Sequence, residues 1–193
     1  MKNFTLTLTG VTPLLVHNAR LADPLDKFVR ESKKFSKKRT KTDEDHLELA
    51  RLEFMGGLYF DKDLGPVMPA ANIEAALRDG AKRYKKGKDV QRGLQITDLV
   101  TPIVYEGPRT MEELWNGGDS EFIDRQSVVV QRNRVQRTRP IFRNWALEVD
   151  GQFDENVFDV DELNTICEAA GQWSGLGDYR TKYGKFTHEL VVH

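Results

Sequence analysis

Apolar and polar residues alternate cleanly at the start of the chain. Across residues 2–9, Phe4, Leu6 and Leu8 fall on one side and Thr5, Thr7 and Thr9 on the other. A period of two with β-branched residues predicts a half-buried strand, continued beyond a bend at Pro13 by Leu14, Leu15 and Val16. The pattern then lapses. Residues 18–42 hold Asn18, Asp23, Pro24 and a lysine-rich run with few apolar anchors, which predicts a long excursion, mobile or only partly helical. Periodicity returns at Asp43, a cap for a helix whose apolar side is Leu47, Ala50, Leu52, Phe54 and Met55, up to Gly56-Gly57. A second helix is predicted over 72–84. Asn72 caps it, and Ile73, Ala76, Leu77, Ala81 and Tyr84 give the three-to-four spacing of a buried stripe.

Leu94 to Val100 alternates as a strand, and 110–116 reads as a short helix ended by Gly117-Gly118. Residues 121–150 read as two strands, Val128 and Val130 leading up and Ile141, Trp145, Leu147 and Val149 leading back. A helix capped by Asp159 or Asp161 follows, with Leu163, Ile166, Cys167 and Ala170 on its apolar face, and 185–192 alternates as a last strand. The main elements therefore run strand, helix, strand, strand, helix, strand. That order is the α+β, ferredoxin-like (RRM-like) split βαβ, here with a long insertion after the first strand. The expectation is a single domain over 1–193 with 18–64 inserted.

Composition narrows the class without naming an activity. Apolar content of 39% and charged content of 31% describe a soluble globular chain. No apolar run approaches the ~18 residues of a membrane span, the start lacks the apolar core of a signal peptide, and the single cysteine, Cys167, excludes an internal disulfide. A cytoplasmic protein with no membrane partner is expected. The formal net charge of −1 argues against a nucleic-acid binder if only the total is read. The distribution argues otherwise. Basic residues crowd three blocks: Lys27 to Lys41 (with Lys33, Lys34, Lys37, Lys38 and Arg39), Lys82 to Lys88, and Arg132, Arg134, Arg137, Arg139 and Arg143. The acids gather elsewhere, in 43–53, 112–124 and 148–162. Segregation of this kind makes a basic stripe on a neutral protein. For any one block, the plain solvation of an exposed face is the competing reading.

The arginine block alternates with Gln131, Asn133, Gln136 and Thr138, all able to bond phosphates or base edges, and lies near the tip of the predicted hairpin. A further basic element is the loop 175–185. Gly175, Gly177 and Gly184 allow close backbone approach, exposed N–H groups in such a loop make an anion nest, and Arg180, Lys182 and Lys185 add charge. Tyr179 and Tyr183 add faces on which bases stack, at about 1–3 kcal/mol each. A plain helix-to-strand turn is the alternative. His46 lies at the start of a charged helix and His188 in the last strand, facing solvent. The sequence has no HExxH, paired CxxC, EF-hand spacing or GxxxxGK[ST], so no metal or cofactor is expected.

Three segments resemble the RAMP superfamily, whose members include backbone subunits of CRISPR effector complexes. The first is Gly65 to Arg78. Pro66, Met68, Pro69, Ile73, Leu77 and Arg78 match the spacing of that family's proline-x-isoleucine-proline-glycine-serine-serine-leucine-lysine-glycine-x-leucine-arginine pattern. Ala70-Ala71-Asn72 replaces the glycine-serine-serine, so hydroxyls that cap the helix or meet a phosphate are lost. The second is the glycine-rich stretch Gly175 to Phe186 before the last strand, and the third is the opening strand with its long insertion, a thumb over guide RNA in such subunits. The resemblance implies binding of single-stranded RNA or DNA, assembly as a homo-oligomer or filament, and other effector-complex subunits as partners. A stand-alone relative from a virus or mobile element fits it as well. It also implies a rival, a RAMP-type endoribonuclease. There His17 would act as general base beside Lys182 or Tyr179, or Asp23 (with Asp26 comparably placed) would act in the loop after the first strand. A third reading is a scaffold whose basic loops meet acidic partners.

Overall fold

The computed structural model describes residues 1–130, 132–180 and 182–193, and of Val130 only the backbone. In chain order the first elements are β1 (Lys2–Gly10), β2 (Leu14–Leu15), α1 (Lys27–Ser36), α2 (Asp43–Gly57), β3 (Phe60–Asp61) and β4 (Gly65–Pro69). Next come α3 (Ala70–Ala81), α4 (Gly87–Gly93), β5 (Leu94–Ile96), β6 (Val100–Pro102) and α5 (Met111–Trp115). The chain closes with β7 (Ile123–Val130), β8 (Asn133–Phe142), β9 (Ala146–Phe153), α6 (Val160–Ala169) and β10 (Phe186–Val192). The protein is α+β with antiparallel sheets. Its contacts divide it into two compact units. The first holds residues 1–14, 67–106 and 143–193; the second holds 15–66 and 107–142.

The first unit is built on a four-stranded antiparallel sheet in the order β10-β1-β9-β5. The threonine alternation of β1 sets its register. Phe4, Leu6 and Leu8 face inward opposite Val192, Leu190 and His188 on one side and Gly151, Val149 and Leu147 on the other. Helices α3 and α6 cover this face through Ile73, Ala76, Leu77, Leu163, Ile166 and Cys167, all buried. Burial pushes the Cys167 thiol up to about 12, so it stays a neutral core group. The opposite face carries Thr5, Thr7 and Thr9 between Glu148, Asp150 and Glu189. Helix α6 starts in a reciprocal capping box between Asp159 and Glu162. Helix α3 begins after Pro69 with no side-chain cap, so the expected cap Asn72 lies inside its first turn.

In the second unit, helices α1 and α2 pack together and α2 lies on the β7–β8 hairpin. Thr42, not Asp43, caps α2, in a box with Asp45, and Asp43 becomes the first helical residue. The ammonium of Lys38 at 2.6 Å and the Thr42 N–H hold the Asp45 carboxyl below the usual carboxylate range. Of the two readings for 18–42, mobile or only partly helical, the second describes the segment: residues 27–36 are a regular helix capped by Asp26, because Phe28, Val29, Ser32 and Phe35 form a narrow stripe against α2. One expectation needs correction. The returning strand of 121–150 is two strands. β8 pairs with β7 in this unit, while β9 pairs with β1 in the first, with Arg143 to Trp145 as the break between them.

Candidate nucleic-acid interface

On the four-stranded sheet, the open face offers threonines and carboxylates, with Thr5 Oγ1 donating to Asp150 Oδ1 at 2.7 Å. Glu148, Asp150 and Glu189 there repel phosphate, so the cationic surfaces lie on other elements.

In the second unit the lysine-rich block follows the outer side of α1 and the turn after it. Lys33, Lys34, Lys37, Lys38 and Arg39 are all exposed. Lys34 pairs with Glu31 and Lys38 with Asp45, each at 2.6 Å, and Lys33 donates to the Pro24 carbonyl at 3.4 Å. The arginine block is split by the hairpin. Arg132, in left-handed backbone conformation, and Arg134 stand exposed at the tip. Further down, Arg137 donates to Glu53 Oε1 at 2.8 Å while the Thr138 N–H donates to Glu53 Oε2 at 2.9 Å, so α2 straps the hairpin through one carboxylate. Arg139 is buried and lies 3.6 Å from Asp124, its partner directly across the ladder. Arg143 is exposed in the β8–β9 break and belongs to the first unit. Gln131 lies outside the described residues.

In the first unit the loop 175–185 folds back on itself. Gly175, Gly177 and Gly184 all have positive φ. The Leu176 N–H donates to the Gly184 carbonyl and the Gly184 N–H to the Pro13 carbonyl. The N–H groups of Gly175, Tyr179, Lys182, Tyr183 and Lys185 also have protein acceptors. Most of the expected anion nest is therefore spent on the loop's own fold, and side chains remain as its means of binding. Arg180 reaches Asp79 of α3 at 3.0 Å, and Lys82 donates to the same carboxylate at 2.6 Å. Burial works to raise the Asp79 carboxyl, but these two bonds outweigh it and hold it below the ordinary range. Lys185 donates to the Trp173 carbonyl at 2.8 Å, and burial with the nearby Arg180 charge lowers its ammonium. Tyr179 is half exposed, its ring 5.8 Å from that of Tyr183, over which Lys182 sits. Thr181 lies outside the described residues.

Sequence reasoning missed one pair. Arg83, in the second basic block, lies over the ring of Trp173 at 4.4 Å from its centroid. The available signal was an aromatic placed just before a basic glycine loop.

The candidate catalytic residues fall on separate elements. His17 is half-buried just after β2 in the second unit, and Lys182 and Tyr179 belong to the first. Asp23 is exposed and accepts the Leu25 N–H at 2.9 Å, an Asx turn on the way into α1. Among the described residues no three His, Cys, Asp or Glu side chains converge as a metal would require, and no helix is long and apolar enough to cross a membrane.

His188 does not face solvent. It sits opposite Leu8 on the helix-covered face, with its ring 3.3 Å from Asn164 Oδ1 of α6. Burial pushes its pKa below the usual 6.5, against a smaller upward pull from Glu168. A histidine depressed in the folded state supports folding while neutral. Its contribution is full above the unfolded value and is lost as pH falls below it. The urea midpoint is therefore expected to drop more between pH ~7 and ~5.5 in the wild type than in His188→Gln. Parallel pH profiles of the two proteins would refute this.

No protein-family profile matches this sequence, and comparison with curated proteins finds no relative. Among solved structures, the chain aligns with one from the cryo-EM structure of the Type III-B Cmr-beta bound to cognate target RNA, with a TM-score of 0.46 and 13% identity. The alignment covers 99% of this chain and 60% of that one, so the present chain spans less than two thirds of its neighbour's length.

Proposed function

We propose that this protein binds single-stranded nucleic acid, RNA or DNA, without sequence preference, on a ferredoxin-like RAMP-type domain in which residues 18–64 are a thumb-like insertion. The fold reading is supported by the order of strands in the large sheet: fourth, first, third, second of a β-α-β-β-α-β series, if β1, α3, β5, β9, α6 and β10 are counted as that series. One observation carries the function. On a chain of net charge −1, exposed cations cluster on α1 and the turn after it and at the β7–β8 tip, with Lys182 exposed on the loop 175–185, while carboxylates hold the open sheet face. Lysine and arginine contacts to phosphate are blind to sequence and fall steeply with salt. The opposite signs of the α1 surface and the open sheet face also suit copies set head to tail along one strand.

A labelled single strand followed by fluorescence anisotropy tests this. Binding is expected with a dissociation constant below ~100 μM at low salt, weakening as salt rises. Absence of salt-dependent binding in that range sinks the reading. Mass photometry with and without the strand reads the assembly. Single copies at all strand lengths would remove the head-to-tail part and leave the binding.

A further inference from the structure

We infer that Trp173 and Arg83 form a stacking step for one unpaired nucleobase, with the cations beside them taking the flanking phosphates; this rests on the single-strand reading above.

The chain has three tryptophans. Trp115 and Trp145 are buried at 5% and 4% exposure, whereas Trp173 is 58% exposed. An indole left that open contributes little to a core, and large exposed aromatics beside cations are the usual surface on which bases stack. The ring is also held in place. The Arg83 guanidinium stacks 4.4 Å from the ring centroid while the residue stays 58% exposed, so an oriented and accessible indole exists before any ligand arrives.

The backbone sets this pairing. The chain leaves α6 through a wide π-turn, Ala170–Ser174. Gly80 of α3 lies against it so closely that a Cβ there would stand 2.6 Å from the Ala170 nitrogen and 2.7 Å from its Cα. Arg83 follows Gly80 by the same number of residues as Trp173 follows Ala170, so backbone contact at one level becomes side-chain stacking at the next. Lys185 fixes the far side of the turn through the Trp173 carbonyl.

The charge around the ring has the sign a phosphate needs. Asp79 lies among three cations, Lys82 at 2.6 Å, Arg180 at 3.0 Å and Arg78 at 4.0 Å. With Arg83 and Lys185 the cations number five, against the carboxylates of Asp79, Glu168 (bonded to Gln172) and Asp178, so the local balance stays positive. A nucleotide stacked on the indole would place its phosphates within this field. Stacking accepts any base, which fits a sequence-blind binder.

Trp173 is its own reporter, because the other two indoles are buried. The test titrates the full-length protein with a thymidine oligonucleotide, a uridine oligonucleotide and an abasic strand of equal length, reading tryptophan emission and anisotropy together. The base-bearing strands are expected to quench emission in step with binding. The abasic strand is expected to bind roughly tenfold more weakly and without quenching. In Trp173→Ala the quench disappears and the ratio of thymidine to abasic affinity falls from about ten toward one; Trp173→Phe keeps most of the ratio. Anisotropy that reports binding with no quench, and a wild-type ratio near one, overturns the stacking step and leaves strand binding intact. No anisotropy change with any strand overturns both. The wild-type comparison with the abasic strand decides the matter even where W173A does not fold.

Discussion

Gly184→Ala is expected to cost about 3 kcal/mol or more of stability, far beyond a typical exposed-loop substitution. The backbone at Gly184 has φ of +69°, where an L side chain is strained by about 1–2 kcal/mol on its own. Space is the greater obstacle. An added Cβ would stand 1.8 Å from the Leu176 carbonyl oxygen, 2.8 Å from its carbon and 2.9 Å from the Leu176 nitrogen, all backbone that cannot rotate aside. The loop must then break the Leu176–Gly184 bond, the Gly184–Pro13 bond, or both, and each leaves a polar group without its acceptor. The edge strand β10 starts two residues later, so the damage reaches the large sheet. Urea denaturation should show a lower midpoint with little change in slope. A midpoint within experimental error of the wild type would mean that the loop is not braced as described.

Neutralising exposed cations should produce the opposite profile, a large loss of binding at nearly constant stability. Lys37→Gln, Arg39→Gln and Arg134→Gln together remove three exposed charges in the second unit. Each phosphate contact on a single strand contributes about 0.7 to the slope of log affinity against log salt, so the slope should shrink by about 2. Extrapolated from ~1 M to ~50 mM salt, that difference weakens binding on the order of several hundredfold. Exposed substitutions of this kind usually shift stability by less than about 0.5 kcal/mol each, so the urea midpoint serves as the control. A triple variant with unchanged salt slope would show that the strand avoids α1 and the hairpin tip.

Much of the large sheet is readable from residues alone. Phe4, Leu6 and Leu8 alternate because one face of β1 is covered and the other is wet, and the Asp159 cap marks the start of α6 for a local reason. Helix α1 is hidden because its apolar stripe is thin and buries no residue completely, so lysines dominate the window that contains it. The boundary between β8 and β9 is hidden because Arg143, Asn144 and Trp145 carry neither glycine nor proline. At the candidate interface, the sequence shows which residues are basic but not which are engaged. Arg137 and Arg139 look like Arg132 and Arg134 until Glu53 and Asp124 are seen beside them. Trp173 and Arg83 lie ninety positions apart in sequence, and the packing of α3 on the end of α6, with Gly80 against Ala170, brings them together.

The pairing of β1 has a consequence for synthesis. Its partners are β9 and β10, whose residues lie at the far end of the chain, as in Leu6 opposite Val149 and Leu190. A ribosome therefore releases β1 long before anything can pair with it. During that interval a half-apolar, β-prone segment with two open edges is exposed to other nascent chains, and closing such distant contacts is slow. The protein should thus depend on holdase chaperones while it is being made. Its yield should respond more to translation speed and temperature than its final stability would indicate.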